Sequence, residues 1–294
     1  MTSATALAPG THRLEVGGAY IVYHVHGRGP VAIAIPGGPG FAWDYLRMPA
    51  VEEHLTVVYM EPLGTGDSAR LDDPAGYSRA RDVADLEALR VHLGAVPVLA
   101  IGHSYGGFVA LDHAVTHPGA LAGLVLYDSS PMTNAEWQAD VGQNIAGYQD
   151  RAWFADASAA FASIGAATSD AELSALLPRV GPFYVRDHDA APARWDAYFS
   201  RARLSVDRAN RGTRMPYDLR DRLPELTIPA LVIVGASDFI CSPRMAALLA
   251  SGIPHARLVT LEHSGHFGHL EEPARFADAI ATFVRQATAS TQSS

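Results

Sequence analysis

Five short runs are apolar almost without a break: VAIAI (31–35), TVVYM (56–60), VPVLAIG (96–102), LAGLVLYD (121–128) and ALVIVGASD (230–238). A strand with one wet face alternates apolar and polar residues, and these do not. Continuous runs of this length predict strands buried on both faces, as in a parallel sheet with helices on either side. Helical spacing fills the gaps. SRARDVADLEALRVHLG (78–94) ends at Gly94, and YGGFVALDHAVTH (105–117) is closed by Pro118. A helix near 243–251, a strand ARLVTLE (256–262) and a helix over 273–287 continue the rhythm. Ahead of it, HRLEVGGAYIVYHVHG reads as two strands around a Gly17-Gly18 turn. Together these predict an α/β architecture, a mostly parallel eight-stranded sheet with helices on both faces.

The alternation stops between residues 130 and 222, where helical segments rich in Ala, Arg and aromatic residues carry no strong strand. Residues 1–129 and 223–294 are therefore expected to form one core domain, and 130–222 a helical cap inserted into it. In open α/β sheets ligands bind at the carboxyl ends of the strands, so the cap is expected to cover a site there.

Composition removes several classes. The net charge is −9 and all 22 basic residues are arginine, with no basic run, which excludes nucleic acid as a partner on electrostatic grounds. No run of about 18 apolar residues is present. MTSATALAPG lacks the basic start and apolar stretch of a secretory signal. The expectation is a cytoplasmic protein with no membrane partner. A single cysteine, Cys241, excludes an intramolecular disulfide and a multi-cysteine metal site. The polar tail QATASTQSS is expected to fray.

GHSYG (102–106) stands between a predicted strand and a predicted helix. Gly-x-Ser-x-Gly in that context is a nucleophile elbow, a turn too sharp for side chains two residues either side of the serine. Ser104 would project above the sheet. A hydroxyl needs a base to take its proton, and the base needs a carboxylate to orient it. With the elbow the chain order is Ser, then Asp or Glu, then His. Asp238 is the last residue of ALVIVGASD, and EHSGHFGHLEEP offers His263, His266 and His269. His266, at the loop tip after Gly265, is the candidate base; the other two read as loop or helix-face residues. The three histidines resemble a metal-ligand cluster in composition, but no acid motif accompanies them. The oxyanion of an attacked carbonyl needs two backbone N–H donors. Tyr105, after the nucleophile, supplies one and Gly38, in the PGGPG loop (36–40), the other.

With PGGPGFAWDYL (36–46), YMEPLGTGDS (59–68), GHSYGG (102–107), VIVGASDFICSP (232–243) and HSGHFGHLEEP (263–273) in view, the chain resembles the α/β-hydrolase superfamily and, more narrowly, the proline iminopeptidase family. The family's oxyanion loop usually begins His-Gly-Gly-Pro-Gly; here Pro36 stands for the histidine, which leaves the N–H donors in place. Its Asp-x-x-Gly-x-Gly-x-Ser loop reads Glu61, Gly64, Gly66, Ser68. The resemblance implies hydrolysis of an amide after a residue with a free amino group, without cofactor or metal, on a small peptide or aminoacyl amide. It also implies acidic cap residues that bind the substrate ammonium. RWDAYF (194–199) matches the family's Trp-x-x-Trp-Glu if Trp195-Asp196 stands for Trp-Glu; the other register puts Phe199 at the acid position. Glu136, Asp140 and Asp207 are further candidates, each of which also reads as a solvated helix carboxylate. Six arginines between 194 and 214 read as a solvated face, or else as a site for an anionic substrate or a carrier-protein phosphate. Cap aromatics such as Trp137, Tyr148, Phe183 and Tyr184 read as packing or pocket lining. An esterase, lactonase or carbon–carbon hydrolase would use the same triad, because chemistry depends on the cap and not on the sheet. A non-catalytic binding protein of this fold would have a broken triad, and all three positions are filled. Oligomeric state is left open.

Overall fold

The structure is a computed structural model and describes residues 3–94, 97–209 and 217–291. Its frame is one eight-stranded sheet in the order β1-β2-β4-β3-β5-β6-β7-β8. A short helix α1 (Ser3–Ala6) precedes the hairpin β1 (Gly10–Val16) and β2 (Ala19–Gly27). Gly17 and Gly18 turn it with φ of 55° and 80°, values that favour glycine. The hairpin pairs antiparallel with itself and with β4 (Thr56–Glu61). All other pairings are parallel, through β3 (Val31–Ile35), β5 (Val98–His103), β6 (Leu121–Tyr127), β7 (Ala230–Gly235) and β8 (Ala256–Leu261).

The continuous apolar runs lie where both faces are covered, and every residue of β5 and β7 is buried. One face carries α3 (Arg79–His92), α4 (Tyr105–Thr116) and α9 (Pro243–Gly252), with Leu86, Val109 and Leu249 in its core. The other carries α2 (Pro49–Glu52) and α11 (Pro273–Thr291), with Val51, Phe276 and Ile280. Burying about 25 cal/mol for each Å² of apolar area on both faces is the main stabilising term. ARLVTLE is an edge strand with Leu258 43% exposed, because β8 has a neighbour on one side only. Two expectations need correction. ALVIVGASD leaves the sheet at Gly235, and Asp238 sits in the following turn, its N–H bonded to the Gly235 carbonyl at 3.1 Å. The last helix runs on to Thr291, beyond the expected end at 287. The first residue of the predicted strand 96–102 lies outside the described residues.

Between β6 and β7 the chain runs through α5 (Ala135–Ala146), α6 (Phe154–Ser163), α7 (Asp170–Tyr184) and α8 (Pro192–Phe199). Asn134 and Ser169 start α5 and α7 by accepting backbone N–H groups. This stretch meets the loops at the carboxyl ends of the strands. Trp137 Nε1 donates to the Ile240 carbonyl at 2.7 Å, and Ala42 N to the Arg203 carbonyl at 3.0 Å. His266 N donates to the Tyr184 carbonyl at 2.7 Å. Arg208 departs from the solvated face expected of the arginines. It is 1% exposed, bound to both oxygens of Asp82 at 2.9 and 2.7 Å and to the Leu63 carbonyl at 2.8 Å. Arg211 and Arg214 lie outside the described residues. No helix among the described residues is long and apolar enough to cross a membrane.

Candidate active site

The elbow forms because β5 and α4 are joined by a single residue. Ser104 takes φ 53° and ψ −120°, a conformation that costs a non-glycine residue about 1–3 kcal/mol. Gly102 and Gly106 are required by contact rather than by torsion. A Cβ on Gly106 would stand 2.1 Å from the Ile35 carbonyl oxygen, and one on Gly102 2.5 Å from the Gly106 oxygen. Ser129 Oγ holds the turn by donating to the Ser104 carbonyl at 3.0 Å. The loop after β3 closes over it, and a Cβ on Gly37 would lie 2.8 Å from the Ser104 Cβ.

Asp238 and His266 meet from the turns after β7 and β8. His266 Nδ1 is 2.8 Å from Asp238 Oδ2, and both residues are almost fully buried. Asp238 Oδ1 accepts the N–H groups of Ile240 and Cys241 at 2.9 and 3.1 Å. A carboxylate only accepts, so Nδ1 of His266 carries the hydrogen and Nε2 is left as the basic atom. Ser104 and His266 line one narrow cavity of about 40 Å³, with Gly38 on its wall. Cys241 lines a cavity together with Ser104, and its thiol is pushed well up by burial and then by Asp238. Tyr105 is the first residue of α4, so its N–H has no acceptor within the helix.

A chain of polar contacts that the sequence reading missed supports this loop cluster. The Gly37 N–H donates to Tyr45 Oη at 2.5 Å, and Tyr45 Oη lies 2.7 Å from His103 Nδ1. His103 Nε2 lies 2.9 Å from the His266 carbonyl oxygen, which fixes the hydrogen on Nε2 and makes Nδ1 the acceptor from tyrosine. Burial, and after it His266 and His269, hold His103 well below the ordinary histidine range, so it is neutral. His269 stands in a short helix, α10 (Gly268–Glu271), on its buried face. It is 5% exposed, bridging the Tyr127 hydroxyl at 3.0 Å and the Tyr45 carbonyl at 2.9 Å, and burial pushes it down to about 4. His263, by contrast, is exposed. The position of His103 inside GHSYG was the available signal for that residue; nothing in the sequence marked Tyr45.

The other candidates stand apart. Glu136 is bound to Arg220 at 2.8 Å and to Arg244. Asp140 accepts from Ser242 Oγ at 2.5 Å. Trp195 is packed in the core at 5% exposure, beneath the Arg194 guanidinium. Asp196 is exposed beside His188. None of the four lines either cavity that holds Ser104.

The family model described as alpha/beta hydrolase fold matches residues 30–273, most of the chain. The chain belongs to the α/β-hydrolase fold family. A curated proline iminopeptidase from Saccharolobus solfataricus is 26% identical over 283 residues, 91% of this chain and 88% of that protein. A pimeloyl-[acyl-carrier protein] methyl ester esterase from Aeromonas hydrophila is 27% identical over 265 residues, 88% of this chain and 96% of that protein. A solved proline iminopeptidase from Mycobacterium smegmatis superposes with a TM-score of 0.74 at 22% identity, over 96% of this chain and 100% of that one. The hydrolase fold is thus shared with both names.

A second, larger cavity also opens beside Ser104. It measures about 420 Å³ and is walled by Phe108, Trp137 and Tyr217, with polar groups from Thr133 and Gln138. Its one charged side chain among the described residues is Arg79, which is bound to Asp112 at 2.9 Å and lies over the Tyr217 ring. No carboxylate lines it among the described residues, and residues 210–216, NRGTRMP, contain none.

Proposed function

We propose that this chain is a serine hydrolase that transfers an acyl group to Ser104 and then to water. The observation that carries the reading is that His266, bound to Asp238, lines the same cavity as Ser104. The Ser104 hydroxyl gives its proton to His266 Nε2 and attacks the carbonyl. Asp238 holds the imidazole in the required tautomer and stabilises the imidazolium. The N–H groups of Gly38 and Tyr105 receive the oxyanion, and His266 returns the proton to the leaving group. Water then repeats the sequence on the acyl-enzyme. Residues 130–222 act as the cap that closes the site from water.

The scissile bond in this reading is an ester or amide whose acyl part is neutral or anionic. A substrate ammonium entering the 420 Å³ cavity would lose its hydration and meet the Arg79 guanidinium without a carboxylate to pair with. The second reading is release of an amino-terminal residue from an amide, and the proline iminopeptidase relatives favour it. One activity panel separates the two: 4-nitrophenyl esters, aminoacyl 4-nitroanilides and their N-acetylated forms, with Ser104→Ala as control. We expect ester turnover and no loss of anilide turnover on acetylation. Free-amine anilides cleaved well, and lost on acetylation, would replace the first reading with the second.

A further inference from the structure

LAGLVLYD ends in a carboxylate, Asp128, that the chemistry above does not use. β6 and β7 are parallel neighbours, so the residues just beyond their carboxyl ends meet. Asp128 is fully buried at φ 44°, its N–H donating to the Ile233 carbonyl at 2.8 Å. Its Oδ1 accepts the Gly235 N–H at 2.8 Å. No donor among the described residues reaches Oδ2, and the Asp238 carboxyl group, bound to His266, lies beside it. An oxygen of Asp128 and ring nitrogens of His103 and His266 all lie within 4.8 Å of one another. Two carboxylate oxygens can be joined only by a proton between them.

We propose that Asp128 is a positioning residue whose carboxyl group stays protonated and donates from Oδ2 to Asp238, so that the pair presents a single negative charge to His266. Asp238 then has four donors: two backbone N–H groups on Oδ1, His266 Nδ1 on Oδ2, and the Asp128 hydroxyl. The extra donor spreads the Asp238 charge and restrains the basicity it confers on the imidazole. The surroundings favour the neutral form. Burial, and after it the Asp238 charge, push Asp128 far above the ordinary carboxylate range. Asp238, Glu271, Cys241, Tyr127, His103 and His266 face it.

The proposal rests on Ser104, His266 and Asp238 performing the chemistry, so its first test needs no turnover. The infrared difference spectrum of wild type minus Asp128→Asn, at neutral pH, should show the C=O stretch of a protonated carboxyl. Its absence overturns the proposal and leaves the triad reading untouched. The second test is the acid limb of kcat/KM. Asp128→Asn keeps a neutral donor and should leave the limb unmoved. Asp128→Ala removes the donor and should move the limb to higher pH, because Asp238 then stabilises the imidazolium more strongly. An ionised Asp128 predicts the opposite, a limb moved to lower pH in both variants. A purely structural role predicts a lower Tm with the limb unmoved in Asp128→Ala. Either result overturns the proposal.

Discussion

Replacing Arg208 by methionine is expected to loosen the segment after α8 from the core. Arg208 and Asp82 have side-chain exposures of 2% and 3%, and both guanidinium contacts to the carboxylate are under 3 Å. Methionine fills most of the volume but leaves the Asp82 anion buried, with the Tyr105 hydroxyl at 2.7 Å as its remaining side-chain donor among the described residues. Breaking a buried pair from one side costs about 3–5 kcal/mol. At about 2 °C per kcal/mol for a chain of this size, Tm should fall by about 6–10 °C. Arg208→Met with Asp82→Asn removes the stranded charge while keeping an acceptor for Tyr105, so the double variant should recover most of the loss. Urea unfolding of the two single variants and the double variant measures the coupling. A single-variant cost below about 1 kcal/mol, in the range of surface pairs, would refute the reasoning. So would additive costs in the double variant.

Asp238→Asn should keep the fold and lower kcat by roughly 10⁴-fold, since an amide offers the wrong partner to His266 Nδ1; steady-state rates beside a circular dichroism melt check it. His269 is held at about 4, below the 6.5 of its unfolded state, so its contribution is complete above pH 6.5 and is lost as pH falls through 4. Urea midpoints should show the loss of up to about 3 kcal/mol between neutral pH and pH 4, and His269→Gln should flatten that slope. The Cys241 thiol, 1% exposed and shifted upward by burial, should resist iodoacetamide in the native protein and react fully in urea. Labelling of the native protein at the unfolded rate would contradict that placement.

The sheet was legible because its evidence is local. VAIAI and ALVIVG are buried on both faces and say so residue by residue, and GHSYG carries its glycines because backbone crosses at 2.1–2.5 Å from where side chains would begin. Asp238 and His266 were legible from chain order and loop position. What escaped depends on distant partners. Arg208 looks like a surface arginine until Asp82, 126 residues away, is seen to bind it. His269 has the spacing of a helix-face residue, and only Tyr45 and Tyr127 make it part of the core. Trp195 was drawn toward substrate by the Trp-Asp match, but its ring is buried among apolar residues and away from Ser104. Asp128 follows β6 directly, but that it meets the turn after β7 depends on the β6–β7 adjacency.

The most direct test of the proposed chemistry is covalent capture. A fluorophosphonate probe, followed by peptide mass spectrometry, reports which side chain is the nucleophile. One adduct is expected per chain, on the peptide containing Ser104, absent in Ser104→Ala and much slower in His266→Ala. An adduct on another residue, or labelling of Ser104 at the same rate without His266, would contradict the reading of this site as a serine hydrolase.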